Sequence, residues 1–345
     1  MEPKKLQDHI RNLAMMDETD DLFISCYLNM EKGTDGFQEY LNERSRLLKK
    51  SLPDSYHEHF KDTMDGIYNF LSTKKFKGTK GAALFSRKGS QPFLLSLEFR
   101  VPLPNLVVMD LVPHIYPLVE LLDTYHSYVV VIASEDRARI IEIHTGTVTE
   151  SLWVERSELR KRIGREWTKE HYQNHRKDRG QKFIKEKIQV LEKVILQGGH
   201  THLILAGNLR MAARLKKALP KHLAKRLIDT IVVTDSNKDE SIVLTTLSAF
   251  IRQEQSESLS AVEMLKQEMN KNGLGVVGTK ASLEALRNGQ ADMLIIAKEF
   301  YEGKQKEDLV KLAVRYGCKI ETVGDSYTLN QYGGVGCLLR YRLPY

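Results

Sequence analysis

Residues 126–155 read HSYVVVIASEDRARIIEIHTGTVTESLWVE and hold three β-rich runs that decide the fold of the middle of the chain. The runs cover 129–132, 138–143 and 148–154, and the polar stretches SEDR and HTGT separate them. Short β-branched runs joined by polar turns are typical of antiparallel strands. The stretch therefore predicts a meander of three antiparallel strands.

Helix and strand patterns alternate after this meander. Apolar residues recur at helical spacing from Ile184 to Ile195 and predict an amphipathic helix. The runs HLILAGN (202–208) and TIVV (230–233) are typical of short buried strands. Residues 125–270 are thus predicted to form a central domain in which helices cover a mixed sheet.

Two further units flank the predicted central domain. Residues 1–124 form an N-terminal α/β unit with strand patterns at 22–30, 80–88 and 92–100 and helix patterns at 37–48 and 56–71. Residues 271–345 alternate helix and strand and predict a small C-terminal α/β/α layer. A family resemblance carried by its motifs implies that this layer binds RNA or a partner. The fold class expected for the chain is α/β, with three domains.

Composition restricts the class of protein further. The 345 residues are 41% apolar, which is enough for several cores. The sequence contains no run of 18 apolar residues, so no membrane span is predicted. The N-terminus has no apolar signal region, so we expect a cytoplasmic protein. Cys26, Cys318 and Cys337 are too few for a disulfide framework or a cysteine-rich zinc site, and the last two are expected in the core.

Positive charge is concentrated in one segment of the chain, which has a net charge of +7. Residues 155–187 carry twelve Lys/Arg and six Asp/Glu, a net charge of +6, whereas residues 1–124 have a net charge of −2. This concentration predicts a polyanionic partner, with a solvated charged face as the alternative. Trp167, His171 and Tyr172 lie within the segment and suit stacking on unpaired bases, although Trp167 also suits a buried anchor.

Two parts of the chain resemble a known family. ALRNGQADMLIIAKEF (285–300), LVKLAVRYGCKIETVGD (309–325) and YGGVGCLLRY (332–341) resemble the C-terminal domain of archaeal and eukaryotic class I release factors and Pelota. YVVVIASEDRARIIEI (128–143) resembles the opening of that family's central domain. The similarity covers residues 125–345 and is greatest to the bacterial branch, which includes the hibernation factor Balon.

The resemblance implies where a functional tip would lie. The family carries Gly-Gly-Gln on a loop between the third central strand and the following helix, and here the loop 155–180 leads to Arg179-Gly180-Gln181. In the family the glycines let the backbone approach the peptidyl-tRNA ester, and the glutamine N–H stabilises the leaving oxygen. Arg179 replaces one glycine, at a cost of about 1–2 kcal/mol if a left-handed backbone is needed. Gly180 and Gln181 are therefore candidates, and no catalytic residue is assigned.

The predicted RNA contacts combine this tip with the cations and the tryptophan around it. They are Arg160, Lys161, Arg162, Arg165, Trp167, Lys169, Arg176, Lys177, Arg179, Gly180, Gln181 and Lys182.

No metal and no cofactor are predicted. His171 and His175 have helical metal-ligand spacing, but no further ligand is near them in the sequence. Gly333, Gly334 and Gly336 have no P-loop lysine after them and predict a turn rather than a phosphate site.

These observations predict a protein that binds the ribosome and ribosomal RNA near the transfer-RNA site, in hibernation, stress protection or rescue. Residues 1–124 contain no motif for reading stop codons, which disfavours ordinary termination. Two alternatives stay open: a rescue factor that hydrolyses peptidyl-tRNA through Gly180 and Gln181, which leaves enzyme activity undecided, and a protein that binds structured RNA off the ribosome. The resemblance also implies a separate translational GTPase, such as elongation factor Tu, whereas neither DNA nor a membrane is an expected partner.

Overall fold

The computed structural model describes residues 3–134, 137–155, 169–232, 239–271, 273–300 and 303–341. These residues form mixed α/β structure with three separate sheets, so the predicted fold class is confirmed. The chain divides into two compact units, one made of 126–253 and the other of 1–125 together with 254–345.

The N-terminal stretch contains four α-helices and four strands among its described residues, with one 3-10 turn (Asp54–Tyr56) before the third helix. They are α1 (Pro3–Ala14), β1 (Phe23–Asn29), α2 (Gly33–Ser51), α3 (His57–Thr73), β2 (Gly81–Arg87), β3 (Phe93–Phe99), β4 (Leu106–Asp110) and α4 (Tyr116–Thr124). The strands form an antiparallel sheet in the order β3-β2-β1-β4. The predicted strands and helices are present, and α1, β4 and α4 were not predicted.

The unit 126–253 is built on a five-stranded sheet. Its elements are β5 (Tyr128–Ala133), β6 (Arg137–His144), β7 (Thr147–Glu155), α5 (Lys169–Gly198), β8 (His202–Gly207), α6 (Leu209–Ala218), α7 (Lys221–Ala224), β9 (Leu227–Ile231) and the first part of α8 (Asp239–Asn270). The strand order is β7-β6-β5-β8-β9, antiparallel from β7 to β5 and parallel from β5 to β9. The predicted meander and mixed sheet are confirmed.

Helices cover both faces of this central sheet. On one face, Val129 and Leu205 pack with Ile188 of α5 and Leu215 of α6 in one buried cluster. On the other face, side chains of β5, β6 and β8 pack with Ile242 and Phe250 of α8, as alternation along a strand requires. The helix predicted from the Ile184–Ile195 spacing is therefore the part of α5 that covers the sheet.

The start of α5 corrects one prediction. The segment 155–180 was predicted to be a loop, but the backbone of residues 169–180 is helical and continues into the covering part of α5 without a break. The loop prediction is therefore wrong from Lys169 onward, and residues 156–168 lie outside the described part of the chain.

The C-terminal stretch forms a four-stranded sheet with helices. Its elements are β10 (Gly275–Val277), α9 (Thr279–Arg287), β11 (Ala291–Ala297), α10 (Gly303–Arg315), β12 (Lys319–Val323), α11 (Tyr327–Gln331) and β13 (Val335–Leu339). The strand order is β10-β13-β11-β12, in which only the β11–β12 pair is parallel. Gly333 and Gly334 both have positive φ in the turn before β13, which agrees with the predicted turn.

The N-terminal and C-terminal stretches share one hydrophobic core. Leu6 of α1 and Phe85 of β2 belong to the same buried cluster as Leu286 of α9 and Leu309 of α10. Polar contacts join the same stretches, because Asp123 at the end of α4 accepts a 2.7 Å hydrogen bond from the Thr322 backbone N–H. Each predicted domain holds one sheet, and the division into three domains stays a prediction.

Across the described ranges, no helix is long and apolar enough to cross a membrane.

Candidate nucleic-acid interface

Helix α5 has a leading part that precedes its described sheet-covering side chains. Ile184 is the first residue of α5 with a described buried side chain, and it lies fifteen residues after the helix start at Lys169. At 1.5 Å per residue, this leading part is about 22 Å long. The predicted contacts Lys169, Arg176 and Lys177 lie on this leading part.

The described side chains near the sheet distinguish solvent-facing from buried cations on α5. Lys182 and Lys185 are exposed, as a phosphate contact requires. Lys187 is 1% exposed, and its Nζ donates to the carbonyl oxygen of Ser134 at 3.5 Å. Lys187 therefore contributes to packing rather than to an exposed cationic surface.

The other predicted contacts are located only in part. Arg179, Gly180 and Gln181 lie within α5, and their side chains are outside the described ones. Residues 160–167, which include four predicted cations and Trp167, lie outside the described residues altogether. Their role in RNA binding stays a prediction.

The helical backbone changes what Gly180 and Gln181 can do chemically. In an α-helix the N–H of residue 181 donates to the carbonyl of residue 177. An N–H that is bonded within a helix is not available to stabilise the leaving oxygen of an ester. Hydrolysis through Gln181 would therefore require this part of α5 to unwind.

A second cationic segment escaped the sequence analysis. Residues 208–226 carry seven Lys/Arg and no Asp/Glu, so the positive charge is not confined to 155–187. The exposed cations on α6, on α7 and just after them are Arg210, Arg214, Lys216, Lys217, Lys221 and Lys225. Counting acids as well as bases over this short window would have identified it.

The local sequence of α6 explains why these cations face solvent. Asn208 caps the helix, because its side chain accepts a 2.9 Å hydrogen bond from the Arg210 N–H. Met211, Ala212 and Leu215 form the buried face against the sheet. The cations therefore occupy the opposite face, and those in the last turn interact favourably with the helix dipole.

Lys182 and Lys185 of α5 and the cations of 208–226 belong to one layer of helices in the central unit. Helices α5 and α6 cover the same face of the sheet, and Nε2 of His222 on α7 lies 3.2 Å from Glu192 Oε1 on α5. We call the exposed cations of 208–226, together with Lys182 and Lys185, the cationic layer. Positive charge without interspersed acids along 208–226 suits a phosphate backbone.

The cysteines are not candidates for chemistry in this protein. Burial raises the pKa of Cys26, Cys318 and Cys337 to about 12 in each case. At neutral pH these thiols stay protonated, so they are core residues rather than nucleophiles. This outcome confirms the prediction for Cys318 and Cys337.

The fold also brings a distant histidine to two potential metal ligands on β6. Glu142, His144 and His200 each offer a ligand atom, and these atoms all lie within 4.8 Å of one another. The sequence analysis considered only His171 and His175, whose side chains are outside the described ones.

Comparison with known proteins finds a family model that matches the central part of the chain. Residues 113–252 match the model of bacterial archaeo-eukaryotic release factor family 10, and no curated protein sequence matches the chain. The matched range contains the whole central sheet and the cationic layer.

Several solved structures are similar at low identity. Archaeal Pelota, from a model of ribosome-bound Pelota and ABCE1, is 15% identical with a TM-score of 0.48, over 98% of this chain and 95% of that one. Dom34 of S. cerevisiae, a translation termination-like factor, is 14% identical with a TM-score of 0.47, over 77% and 80% of the two chains. The archaeal termination factor aRF1 is 16% identical with a TM-score of 0.30, over 99% of each chain.

Proposed function

We propose that the protein binds the ribosome near the transfer-RNA site. Residues 113–252 match the model of bacterial archaeo-eukaryotic release factor family 10, the family that the sequence resembles, and this match supports the proposal. It acts in hibernation, stress protection or rescue and does not read stop codons. Its contacts are with ribosomal RNA in the cytoplasm.

One observation carries this proposal: the acid-free cationic face of 208–226 on a release-factor-like domain. Six exposed cations in the nineteen residues 208–226, without a balancing acid, give a high local positive charge. Neutralisation of RNA phosphates releases counterions and favours binding. Lys182 and Lys185 of α5 extend the same layer toward the Arg179-Gly180-Gln181 segment.

Occlusion of the site is the favoured mode of action rather than hydrolysis. The backbone N–H that release chemistry uses is engaged inside α5, and Arg179 stands where the family has a glycine. A protein that fills the transfer-RNA site without cleaving the ester protects the ribosome. A separate translational GTPase, such as elongation factor Tu, stays a predicted partner for delivery.

The test measures co-sedimentation of the full chain with 70S ribosomes over a series of salt concentrations. Arg210, Arg214, Lys217 and Lys221 are replaced together by Gln, which keeps helix propensity while it removes four charges. We expect weaker binding, and a slope of log K against log salt that falls by about 0.7–0.9 for each phosphate that the variant no longer neutralises.

A second quadruple variant provides the matched control. Arg46, Lys49, Lys50 and Lys61 are exposed cations of α2 and α3, and their replacement by Gln changes the net charge of the chain equally. This variant should keep most of the binding and most of the slope. An equal decrease in affinity in both variants would mean that net charge alone attracts the protein to the ribosome. Unchanged binding in the variant of Arg210, Arg214, Lys217 and Lys221 would show that the cationic layer is not part of the interface.

Isolated structured RNA serves as the competitor in the same assay. Under the proposal, ribosomes outcompete a folded RNA of similar phosphate concentration. Equal affinity for both would favour the alternative function, RNA binding off the ribosome.

A further inference from the structure

Glu142, His144 and His200 form a compact cluster at the end of the central sheet. Glu142 Oε2 lies 2.6 Å from Nε2 of His200 and 3.7 Å from Nε2 of His144. The two imidazole rings are 5.1 Å apart between centroids. One carboxylate oxygen and two imidazole nitrogens therefore converge on one small volume.

Two separate parts of the central unit supply this cluster. Glu142 and His144 lie on the same side of β6 near its end, and His200 lies between the end of α5 and the start of β8. The pairing of Tyr128 with both Ile143 and His202 places the start of β5 at the same end of the sheet as the cluster. The cluster thus lies at the opposite end of the sheet from Asn208, where α6 begins.

Neighbouring groups hold the three side chains in place. Nδ1 of His144 hydrogen-bonds to Ser127 Oγ, which leaves Nε2 to face Glu142. The guanidinium of Arg226 donates to the carbonyl oxygen of His200 at 2.5 Å and fixes that loop. His200 is fully buried, and its Nδ1 has no hydrogen-bond partner among the described atoms, so its ring is oriented through Nε2 alone.

Gly198 provides the space in which the cluster forms. A Cβ at this position would lie 2.2 Å from Nε2 of His200 and 3.1 Å from Oε2 of Glu142. No side chain could occupy that space without displacing His200. The end of α5 is therefore shaped around these two ligand atoms.

We propose that Glu142, His144 and His200 form a zinc site that joins the ends of β6 and α5. Two imidazole nitrogens and one carboxylate oxygen are a donor set that Zn²⁺ favours, with water as a fourth ligand. Glu142 and His144 have side chains that are 13% and 12% exposed, so water reaches the cluster from their side. The site needs no residue of the cationic layer.

The distances fit a tetrahedral ion after a small adjustment. Bonds of about 2.0–2.1 Å to zinc place two ligand atoms about 3.3–3.4 Å apart. The Glu142–His144 separation of 3.7 Å is close to this value, and the Glu142–His200 hydrogen bond of 2.6 Å must open by about 0.7 Å, an estimate from the same bond lengths. A single rotation of the partly exposed Glu142 carboxylate would supply that movement.

A site that joins two chain segments of one sheet would stabilise the domain rather than contact RNA.

The test uses the full chain, treated with a chelator and then titrated with Zn²⁺ against a chromophoric competitor. We expect one ion per chain, a higher unfolding temperature with Zn²⁺, and visible d–d absorption when Co²⁺ replaces it. His144→Gln and Glu142→Gln should each weaken binding by more than the 10- to 100-fold that loss of an outer-shell partner costs, and Ser127→Ala by about 10-fold.

His222→Gln is the matched control, because it removes another histidine that contacts a glutamate and leaves the cluster intact. It should bind Zn²⁺ like the parent chain. Parent protein that binds no Zn²⁺ would show that the cluster is a hydrogen-bonded pair beside a neutral histidine. Zinc binding that persists in both ligand variants would place the ion elsewhere. If a variant unfolds, the unfolding temperature of the parent chain still tests the proposal. No increase in that temperature with Zn²⁺ would overturn it.

Discussion

Gly180 is the residue at which the resemblance and the backbone disagree. A release-factor tip needs glycine for a flexible loop, whereas the chain places Gly180 inside α5. Glycine in a helix interior costs about 1 kcal/mol relative to alanine. If the helix is the functional state, glycine at position 180 lowers the local stability of α5 and alanine would raise it.

Gly180→Ala should therefore slow hydrogen exchange of the α5 backbone about fivefold around residue 180, the equivalent of about 1 kcal/mol. Mass spectrometry of peptides from 169–183 measures this. Gly199→Ala is the control of opposite sign, because Gly199 has a φ of +64° and alanine there is strained. Faster exchange in Gly180→Ala, or release of labelled peptide from peptidyl-tRNA by the parent chain, would contradict a helical and non-catalytic segment.

Residue identity alone predicted some of the candidate site and not the rest. The basic residues of 155–187 are visible as a local excess of charge, and Cys318 and Cys337 are visible as small residues in apolar runs. Glu142 and His200 are 58 residues apart, and only the pairing of β5 with β6 and β8 brings them together. No local pattern contains that information.

At the scale of single elements, the errors have identifiable causes. The start of α5 was predicted too far along the chain because the segment before it was assigned to a loop. Lys, Glu, Arg and Gln are good helix formers, and in this segment they outweigh one glycine. α4 was not predicted, although its Pro117 lies in the first turn, where proline is well tolerated. The central strands were predicted correctly because their β-branched runs are short and well separated.

Helix α4 also depends on a distant residue for its N-terminus. Glu307 of α10 is 5% exposed, and its carboxylate accepts hydrogen bonds from the N–H groups of Ile115 at 2.6 Å and Tyr116 at 3.1 Å. His114 Nδ1 lies 2.9 Å from the same carboxylate. A negative charge at the start of a helix is further favoured by the helix dipole.

Glu307→Gln should lower the free energy of unfolding by about 3 kcal/mol at pH 7, as expected when one member of a buried charged network is removed. Burial acts to raise the pKa of Glu307, but hydrogen bonding to His114, nearby positive charge and the Ile115 N–H lower it overall from 4.5. The folded pKa is thus below the unfolded one, so the stabilisation is complete above about pH 5 and is lost as pH falls through the folded pKa.

Denaturant unfolding of the parent and the variant at several pH values measures this effect. The difference between the two should shrink below pH 4.5, the usual carboxyl value. Lys311→Gln is a milder control, since its Nζ is 3.8 Å from Glu307 and donates no close hydrogen bond to it. A difference that is constant with pH would mean that the charge of Glu307 has no part in capping α4.

For the whole molecule, the structure joins the two ends of the chain into one unit. The sequence predicted separate domains for 1–124 and 271–345, because each stretch has its own strands and helices. Periodicity identifies the apolar face of a helix but not the partner that covers it. In the structure, Leu6 of α1 and Leu309 of α10 lie in one buried cluster with Phe85 of β2 and Leu286 of α9, so these elements cover one another.

The shared core predicts how a single core mutation spreads. Leu309 is fully buried in the C-terminal stretch, and Leu309→Ala should cost about 2–5 kcal/mol. Because the cluster is common to both stretches, hydrogen exchange should accelerate in β1 and β2 as well as in β11 and β13. Exchange in β5 and β8 should stay unchanged.

Leu205→Ala, in the core of the unit 126–253, is the matched control and should accelerate hydrogen exchange in β5 and β8 alone. Independent folding of the two ends would instead confine the effect of Leu309→Ala to residues 271–341, since destabilisation follows the cooperative unit and not the distance along the chain.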